Sequence, residues 1–271
     1  MDQITPPPAI ADAQYILVSV TQGIATIALN RPDLRNAIHD DMRAELIAAF
    51  EWADSSRDIR AVILTGEGKG FCSGGDIGGM RARLDAPAGS VAFNGWKRQK
   101  QTHRGVGVIC NMSKPVIAAV NGAAFGLGLD MALACDFIIA ADGAKMSMSF
   151  IKRGLVSDGG GMYFLPRRVG LAKAKELILT GRVIEAAEAL SIGMVDRVAP
   201  PDQLRAEAQA WAEELSQGSP AAVALSLSIL NQTFESSADE IFKLGREAQA
   251  ICYTSAEHRA SVEAFLNKTK A

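Results

Sequence analysis

Three times along this chain a short strand-like run leads through a glycine-containing turn into a helical pattern, at 61–76, 116–130 and 145–165. This recurrence narrows the possible folds more than any other feature. A short apolar run bounded by turn residues reads as a strand buried on both faces, and the helix after it must cover the sheet. The clearest unit is Val116–Val120, which closes at Asn121-Gly122 and leads to a Gly-spaced helix from about Gly126 to Ala134, then a strand at Asp136–Ala140. The stretch from Val116 to Ala141 is apolar enough to raise the question of a membrane span. It carries Asn121, Asp130 and Asp136, and each Asp near the centre of a span costs about 2.5–3.5 kcal/mol. A buried strand–turn–helix–strand unit is expected instead.

The flanking segments fit the same scheme. Tyr15–Val20 and Ile24–Leu29, joined by Thr21-Gln22-Gly23, predict a hairpin. A helix opens at Asp40 or Asp41 and sets Met42, Leu46, Ala49 and Phe50 on one face. Residues 80–95 are mixed and contain Gly and Pro, which predicts a mobile loop, with a helix to follow over about 96–112. A short strand near Lys145–Met148 precedes helices at about 160–168, 172–179 and 185–190. The composition shifts at Pro200-Pro201, and from Asp202 the pattern is helical almost to the end. Three regions result: a flexible lead-in over 1–14, a layered α/β core over 15–200, and a helical C-terminal region over 201–271.

Composition removes several functions. The chain has 271 residues, with 28 Lys+Arg against 30 Asp+Glu and 48% hydrophobic residues. It can bury a sizeable core without disulfides, and it has no dense basic run to suit nucleic acid. Cys72, Cys110, Cys135 and Cys252 lie far apart, and His39, His103 and His258 do not cluster, so neither a metal site nor a disulfide framework is expected. Nothing near Met1 reads as a basic, then apolar, leader; a cytoplasmic location with reduced thiols is the expectation. There is no nucleophile elbow around Ser73 and no P-loop. Gly126-Leu127-Gly128 lacks the further glycine of a dinucleotide fingerprint. Hydride transfer, ATP-dependent phosphoryl transfer and histidine-driven acyl hydrolysis all lose ground.

What remains is two Gly-rich turns after buried strands and a few acids in apolar surroundings. A glycine turn leaves backbone N–H groups approachable. Two of them converging on one point make an oxyanion hole, and a nearby carboxylate makes a general base. Together they suit removal of a proton alpha to a thioester or similar carbonyl, although glycine turns also occur simply as turns.

Longer motifs carry a resemblance. Leu29-Asn30-Arg31-Pro32 with Asn36-Ala37, then Ala61–Gly66 running to Gly70-Phe71-Cys72-Ser73-Gly74-Gly75-Asp76, then Lys114-Pro115 through Asn121-Gly122 and Gly126-Leu127-Gly128 to Asp136, then Leu179-Thr180-Gly181 with Ala189, Gly193 and Val195, follow one another. In order and spacing, over about 15–270, they resemble the crotonase (enoyl-CoA hydratase/isomerase) superfamily. The resemblance implies a spiral of β-β-α units with a helical C-terminal region that drives trimerisation, often as a dimer of trimers. It implies an acyl-CoA substrate and no metal or redox cofactor. The thioester oxygen would be held by the N–H groups of Ser73 and Leu127. Leu34, Arg35, Ser73, Gly74, Gly75, Asp76 and Ile77 would line the CoA side, with Phe150 at the acyl pocket. Phe265 and Lys268 would reach CoA, including that of a neighbouring subunit.

Within that superfamily, a hydratase presents two glutamates to one water. At the matching positions this chain has Asp130 and Phe150, so the pair is broken. Asp158 sits where several isomerases carry their acid, and the chain looks most like the single-acid enoyl-CoA isomerases. Two bland readings stand beside this. Asp158, before three glycines, also fits the N-cap of the helix near 160–168, and Asp130, inside an apolar helix, also fits a satisfied structural carboxylate. Two other functions stay open: a hydratase using Asp130 with Asp158, and an acyl-CoA-binding member without turnover.

Overall fold

The computed structural model of the protein describes residues 4–84 and 86–268. After a single helical turn, α1 (Pro8–Ala11), strands β1 (Ile16–Thr21) and β2 (Ile24–Leu29) form the expected antiparallel hairpin, with Ile16 opposite Leu29. Helix α2 (Asp40–Ser55) starts at the acidic pair, as expected, and its cap is His39, whose Nδ1 accepts the Met42 N–H at 3.1 Å. Met42, Leu46, Ala49 and Phe50 are all buried on it. The chain returns through β3 (Ala61–Gly66), parallel to β2, then β4 (Gly70–Cys72), α3 (Ile77–Leu84) and α4 (Ala88–Cys110). Next come β5 (Val116–Val120), β6 (Ala123–Phe125) and α5 (Leu127–Leu133), then β7 (Phe137–Ala141), β8 (Lys145–Ser147) and α6 (Gly161–Val169).

The strands divide between two sheets in an alternating way. One sheet runs in the order β1-β2-β3-β5-β7 and ends on β10 (Arg197–Ala199). The other runs β4-β6-β8 and ends on β9 (Ile184–Glu185). Each β-β-α unit thus places its first strand in the large sheet and its second in the small one, then covers them with helix, which is the spiral expected from the sequence. Three-residue strands such as β4 and β6 hold because their glycines and alanines let backbones approach closely. Helices α7 (Leu171–Thr180) and α8 (Ala186–Ser191) complete the core.

One sequence expectation is revised, and the two ends of the chain gain detail. Residues 80–95 are not a loop: α3 runs to Leu84 and α4 already begins at Ala88, with Pro87 at its N-cap. Arg, Ala and Leu carry helix propensity through this stretch, and a proline just outside a helix start is compatible with it. The lead-in is tied down in part. Ile10 on α1 is buried, and the Gln14 and Tyr15 N–H groups donate to the Glu45 carboxylate at 3.0 and 2.8 Å; residues 1–3 of that expectation lie outside the described residues. In the helical C-terminal part, α9 (Leu204–Leu215) packs on the large sheet and buries Leu204, Ala208, Trp211 and Ala212. By contrast α10 (Pro220–Leu230) and α11 (Ala238–Tyr253) bury no residue fully, and α12 (Ala256–Lys268) rests on α11.

Candidate active site

The first ridge of the site is held by Asn36. This residue is buried with a left-handed φ of 56°. Its Oδ1 accepts the Arg31 N–H at 2.8 Å, and its Nδ2 donates to the carbonyls of Glu67 and Gly70 at 3.0 and 2.8 Å. Every strong bond its side chain needs to justify burial is made, and the loop after β2 is thereby tied to the turn between β3 and β4. Backbone bonds then run from the Ser73 N–H to the Arg35 carbonyl (2.9 Å), from the Ile38 N–H to the Gly74 carbonyl (2.8 Å) and from the Asp76 N–H to the Ile38 carbonyl (2.9 Å). Leu34, Arg35 and the run Ser73, Gly74, Gly75, Asp76, Ile77 therefore form one ridge, with Leu34 and Ile77 exposed on it. Asp76 is already partnered: Arg31 Nη1 lies 2.8 Å from its Oδ2, and the Gly78 N–H donates to its Oδ1. The Arg31 bond holds its carboxyl below the usual range.

The two Gly-rich turns meet here. Gly74 has a φ of 101°, which only glycine adopts without strain, and a Cβ there would sit 2.9 Å from the Phe125 carbonyl and 3.5 Å from the Leu127 nitrogen. At Gly128 a Cβ would overlap the Cys72 carbonyl oxygen. The end of β4 and the start of α5 are in backbone contact, and Ser73 and Leu127 flank that contact. Leu127 opens α5, so its N–H is among the first-turn donors that a helix leaves without an internal partner, and among the described residues no carbonyl takes it. The Ser73 N–H differs from the sequence expectation. It is not open but donates to Arg35, because the loop carrying Arg35 folds back along the residues after β4.

The acids divide by environment. Asp130, on α5, is 0% exposed. Its carboxylate faces the loop before α6, where the Ser157 hydroxyl donates to it at 3.0–3.1 Å and the Gly159 N–H at 2.9 Å. Burial pushes its carboxyl up to about 7 against these hydrogen bonds. Asp158 lies between those two partners and is only half-buried. Gln99 of α4 donates its Nε2 hydrogen to Asp158 Oδ2 at 2.6 Å. Asp158 does not cap α6: that N-cap is Gly160, with no side-chain bond. Phe150 is half-buried over the turn at Gly126, its ring 3.7 Å from where a Cβ on Gly126 would stand. The loop at Gly159 presses on the Leu127 side chain. Asp158, Phe150 and the Leu127 turn are thus brought to one place, with Asp130 beneath them.

The raised Asp130 carboxyl has a measurable consequence. It holds a proton in the folded protein between its ordinary 3.8 and about 7, where the unfolded chain has released it. Its contribution to stability therefore falls as pH rises through that window and levels off above it. Asp130→Asn is uncharged throughout. Relative to the parent protein it should gain on the order of 2 kcal/mol between pH 5 and 8. Denaturant melts of both proteins at the two pH values check this; parallel curves at both would place the titration elsewhere.

Phe265 is 70% exposed on α12, and the side chain of Lys268 lies outside the described residues. Ser157 and Gln99 enter the site without any sequence signal of their own. Ser157 is at least the neighbour of Asp158, whereas Gln99 is one polar residue among many on α4. Among the described residues no group of His, Cys, Asp and Glu has the arrangement of a metal site, and no helix is long and apolar enough to cross a membrane.

Comparison with known proteins bears on the chemistry. The family described as "Enoyl-CoA hydratase/isomerase" matches residues 19–271. A protein named "Probable enoyl-CoA hydratase" from Rhizobium meliloti is 37% identical over 260 residues, covering 95% of this chain and 97% of that one. The 1,2-epoxyphenylacetyl-CoA isomerase of Escherichia coli is 35% identical over 255 residues, covering 94% and 96%. The crystal structure of an enoyl-CoA hydratase/isomerase from Cupriavidus metallidurans superposes with a TM-score of 0.87 at 35% identity, covering 94% of each chain.

Proposed function

The chain belongs to the enoyl-CoA hydratase/isomerase family, and from that premise we propose that it is an enoyl-CoA isomerase in which Asp158 alone moves the proton. Overall identity does not choose between the reactions, since the hydratase-named and isomerase-named relatives stand at 37% and 35%. The choice rests on the acids. Phe150 occupies the side of the oxyanion turn where a second carboxylate would serve a water, and it can neither accept nor give a proton. Asp130 is fully buried and occupied by Ser157 and Gly159. Asp158 is the half-exposed carboxylate, one residue before the Gly159 that packs against the Leu127 side chain.

The proposed reaction balances with this one group. The Asp158 carboxylate takes a proton from C2 of a 3-enoyl-CoA. The C–H electron pair moves onto the thioester, whose oxygen accepts the Leu127 N–H. The Ser73 N–H is already given to the Arg35 carbonyl, so in this scheme the Leu127 N–H is the donor that supports the enolate oxygen. The protonated Asp158 then returns its proton at C4, and the double bond settles between C2 and C3. The exposed ridge around Leu34, Arg35 and Ile77 suits the CoA part, which arrives with the substrate. No resident metal or redox group enters this scheme, and the proposed setting is the cytoplasm. Exposed Leu230, Phe242, Ile251 and Tyr253 on α10 and α11 support assembly with further copies of the chain, as a trimer or a dimer of trimers. Phe265 and Lys268 would then act across subunits.

A second reading, hydration of 2-enoyl-CoA by Asp130 with Asp158, is favoured by the Asp130 carboxyl standing near 7 next to Asp158. Ultraviolet absorbance of the conjugated thioester separates the two. A 3-enoyl-CoA should gain conjugation while a 2-enoyl-CoA stays unchanged. Loss of conjugation from the 2-enoyl-CoA would mean hydration, and no change in either would leave an acyl-CoA binder without turnover.

A further inference from the structure

We propose that Gln99 is a positioning residue for the proton-transferring carboxylate: its side-chain amide pins one oxygen of Asp158 and leaves the other to the substrate. This rests on the isomerase reading above. Asp158 needs outside support because of where it lies. It sits between the exposed Leu155 and Val156 on one side and Gly159-Gly160-Gly161 on the other, in a stretch without regular structure before α6. Asp130 anchors the neighbours, Ser157 and Gly159, but not the Asp158 carboxylate itself. Support for that carboxylate comes from a separate element, α4, through the bond from Gln99 Nε2 to Asp158 Oδ2 at 2.6 Å.

A second observation concerns the other end of the same amide. Gln99 Oε1 is buried and has no hydrogen-bond partner among the described residues. A buried acceptor left unpaired is destabilising, and an apolar side chain of the same length would avoid that cost. What the amide contributes is therefore contributed by its nitrogen, on Asp158. The geometry of the reaction gives that bond a purpose. One carboxylate must reach C2 and then C4 of a held substrate, and a group free to turn away loses the near-attack arrangement on which such transfer depends. With Oδ2 fixed, Oδ1 is presented in one orientation through both steps.

The test uses trans-3-hexenoyl-CoA as the probe and reads kcat and KM separately. Gln99→Met keeps the length and removes the donor; its kcat should fall about ten- to a hundredfold, with KM within about twofold. Gln99→Glu keeps the shape but offers an acceptor, and should be no better than the Met variant. Gln99→Lys restores a donor and should recover part of the lost kcat. A Met variant with undiminished kcat, a loss carried by KM instead, or a Lys variant no better than Met would each overturn the proposal. Asp158→Asn is assayed alongside. If it stays active, the isomerase reading fails and takes this proposal with it; if it is dead while Gln99→Met is fully active, only the proposal fails.

Discussion

Asp158→Asn should lose isomerisation by about 10²–10⁴-fold in kcat, the usual worth of a positioned general base, while the fold stays intact. The substitution is nearly isosteric. The side-chain oxygen of an asparagine can still accept the Gln99 Nε2 hydrogen that now goes to Asp158 Oδ2, so the bond between α4 and the loop before α6 survives. What disappears is the ability to take a proton from carbon. Asp158 is half-buried and caps no helix, so the stability change should stay within about 0.5 kcal/mol. Binding of a saturated acyl-CoA should also persist, because the ridge at Leu34, Arg35 and Ser73 is untouched. The measurements are the rate of conjugation from a 3-enoyl-CoA, calorimetric binding of a saturated acyl-CoA, and the melting temperature. Retained turnover would assign the chemistry to Asp130 or to another acid.

Legibility in the amino-acid sequence varies from residue to residue. The units that open on β3 and β5 are legible because each strand is a largely apolar run and each turn is marked by glycine, whereas β8, Lys145-Met146-Ser147, is marked only by its place before a glycine-rich turn. Periodicity cannot carry the further fact that successive strands belong to different sheets. Short strands such as β9 and β10 escape detection because two or three residues show no period. The stretch at 80–95 misleads because Gly and Pro read as breakers, although Gly89 and Gly95 sit inside α4 and Pro87 merely precedes it. Within the proposed site, motif order singles out Ser73, Leu127 and Asp158, although it does not show that the Ser73 N–H is taken by Arg35. That Asp130 is sealed beneath Asp158 is not legible, since a carboxylate inside an apolar helix reads alike whether it faces a cleft or a loop. The capture of the Ser73 N–H by Arg35 is equally invisible: it joins distant residues through a backbone carbonyl, and every residue type carries the same carbonyl. Gln99 shows the same limit for side chains. Its partner is 59 positions away, and nothing in its own neighbourhood sets it apart.

The contact between the two Gly-rich turns makes Gly128→Ala the most informative small change. A Cβ at this position would overlap the Cys72 carbonyl oxygen and stand 2.7 Å from the Cys72 Cβ. The overlapped atom is backbone, not the end of a mobile side chain, and the residues after it are held by the bonds from Ser73 to Arg35 and from Ile38 to Gly74. Relief must come from α5 moving away from β4. Overpacking of this kind costs about 1–3 kcal/mol, and at about 2–4 °C per kcal/mol for chains somewhat shorter than this one the melting temperature should drop by several degrees. The same movement carries the Leu127 N–H away from Ser73, and loss of one oxyanion donor costs about 10²–10³-fold in kcat. The added methyl lies away from the acid, so Asp158 remains able to exchange protons and only the enolate loses support. Gly89→Ala supplies the contrast. That glycine is also helical, but a Cβ there meets nothing within 4 Å, so the exchange should leave kcat unchanged and raise stability by about 0.4–1 kcal/mol. If Gly128→Ala instead matched Gly89→Ala in both melting temperature and kcat, the start of α5 would be free to shift, and the oxyanion could not depend on where Leu127 is held.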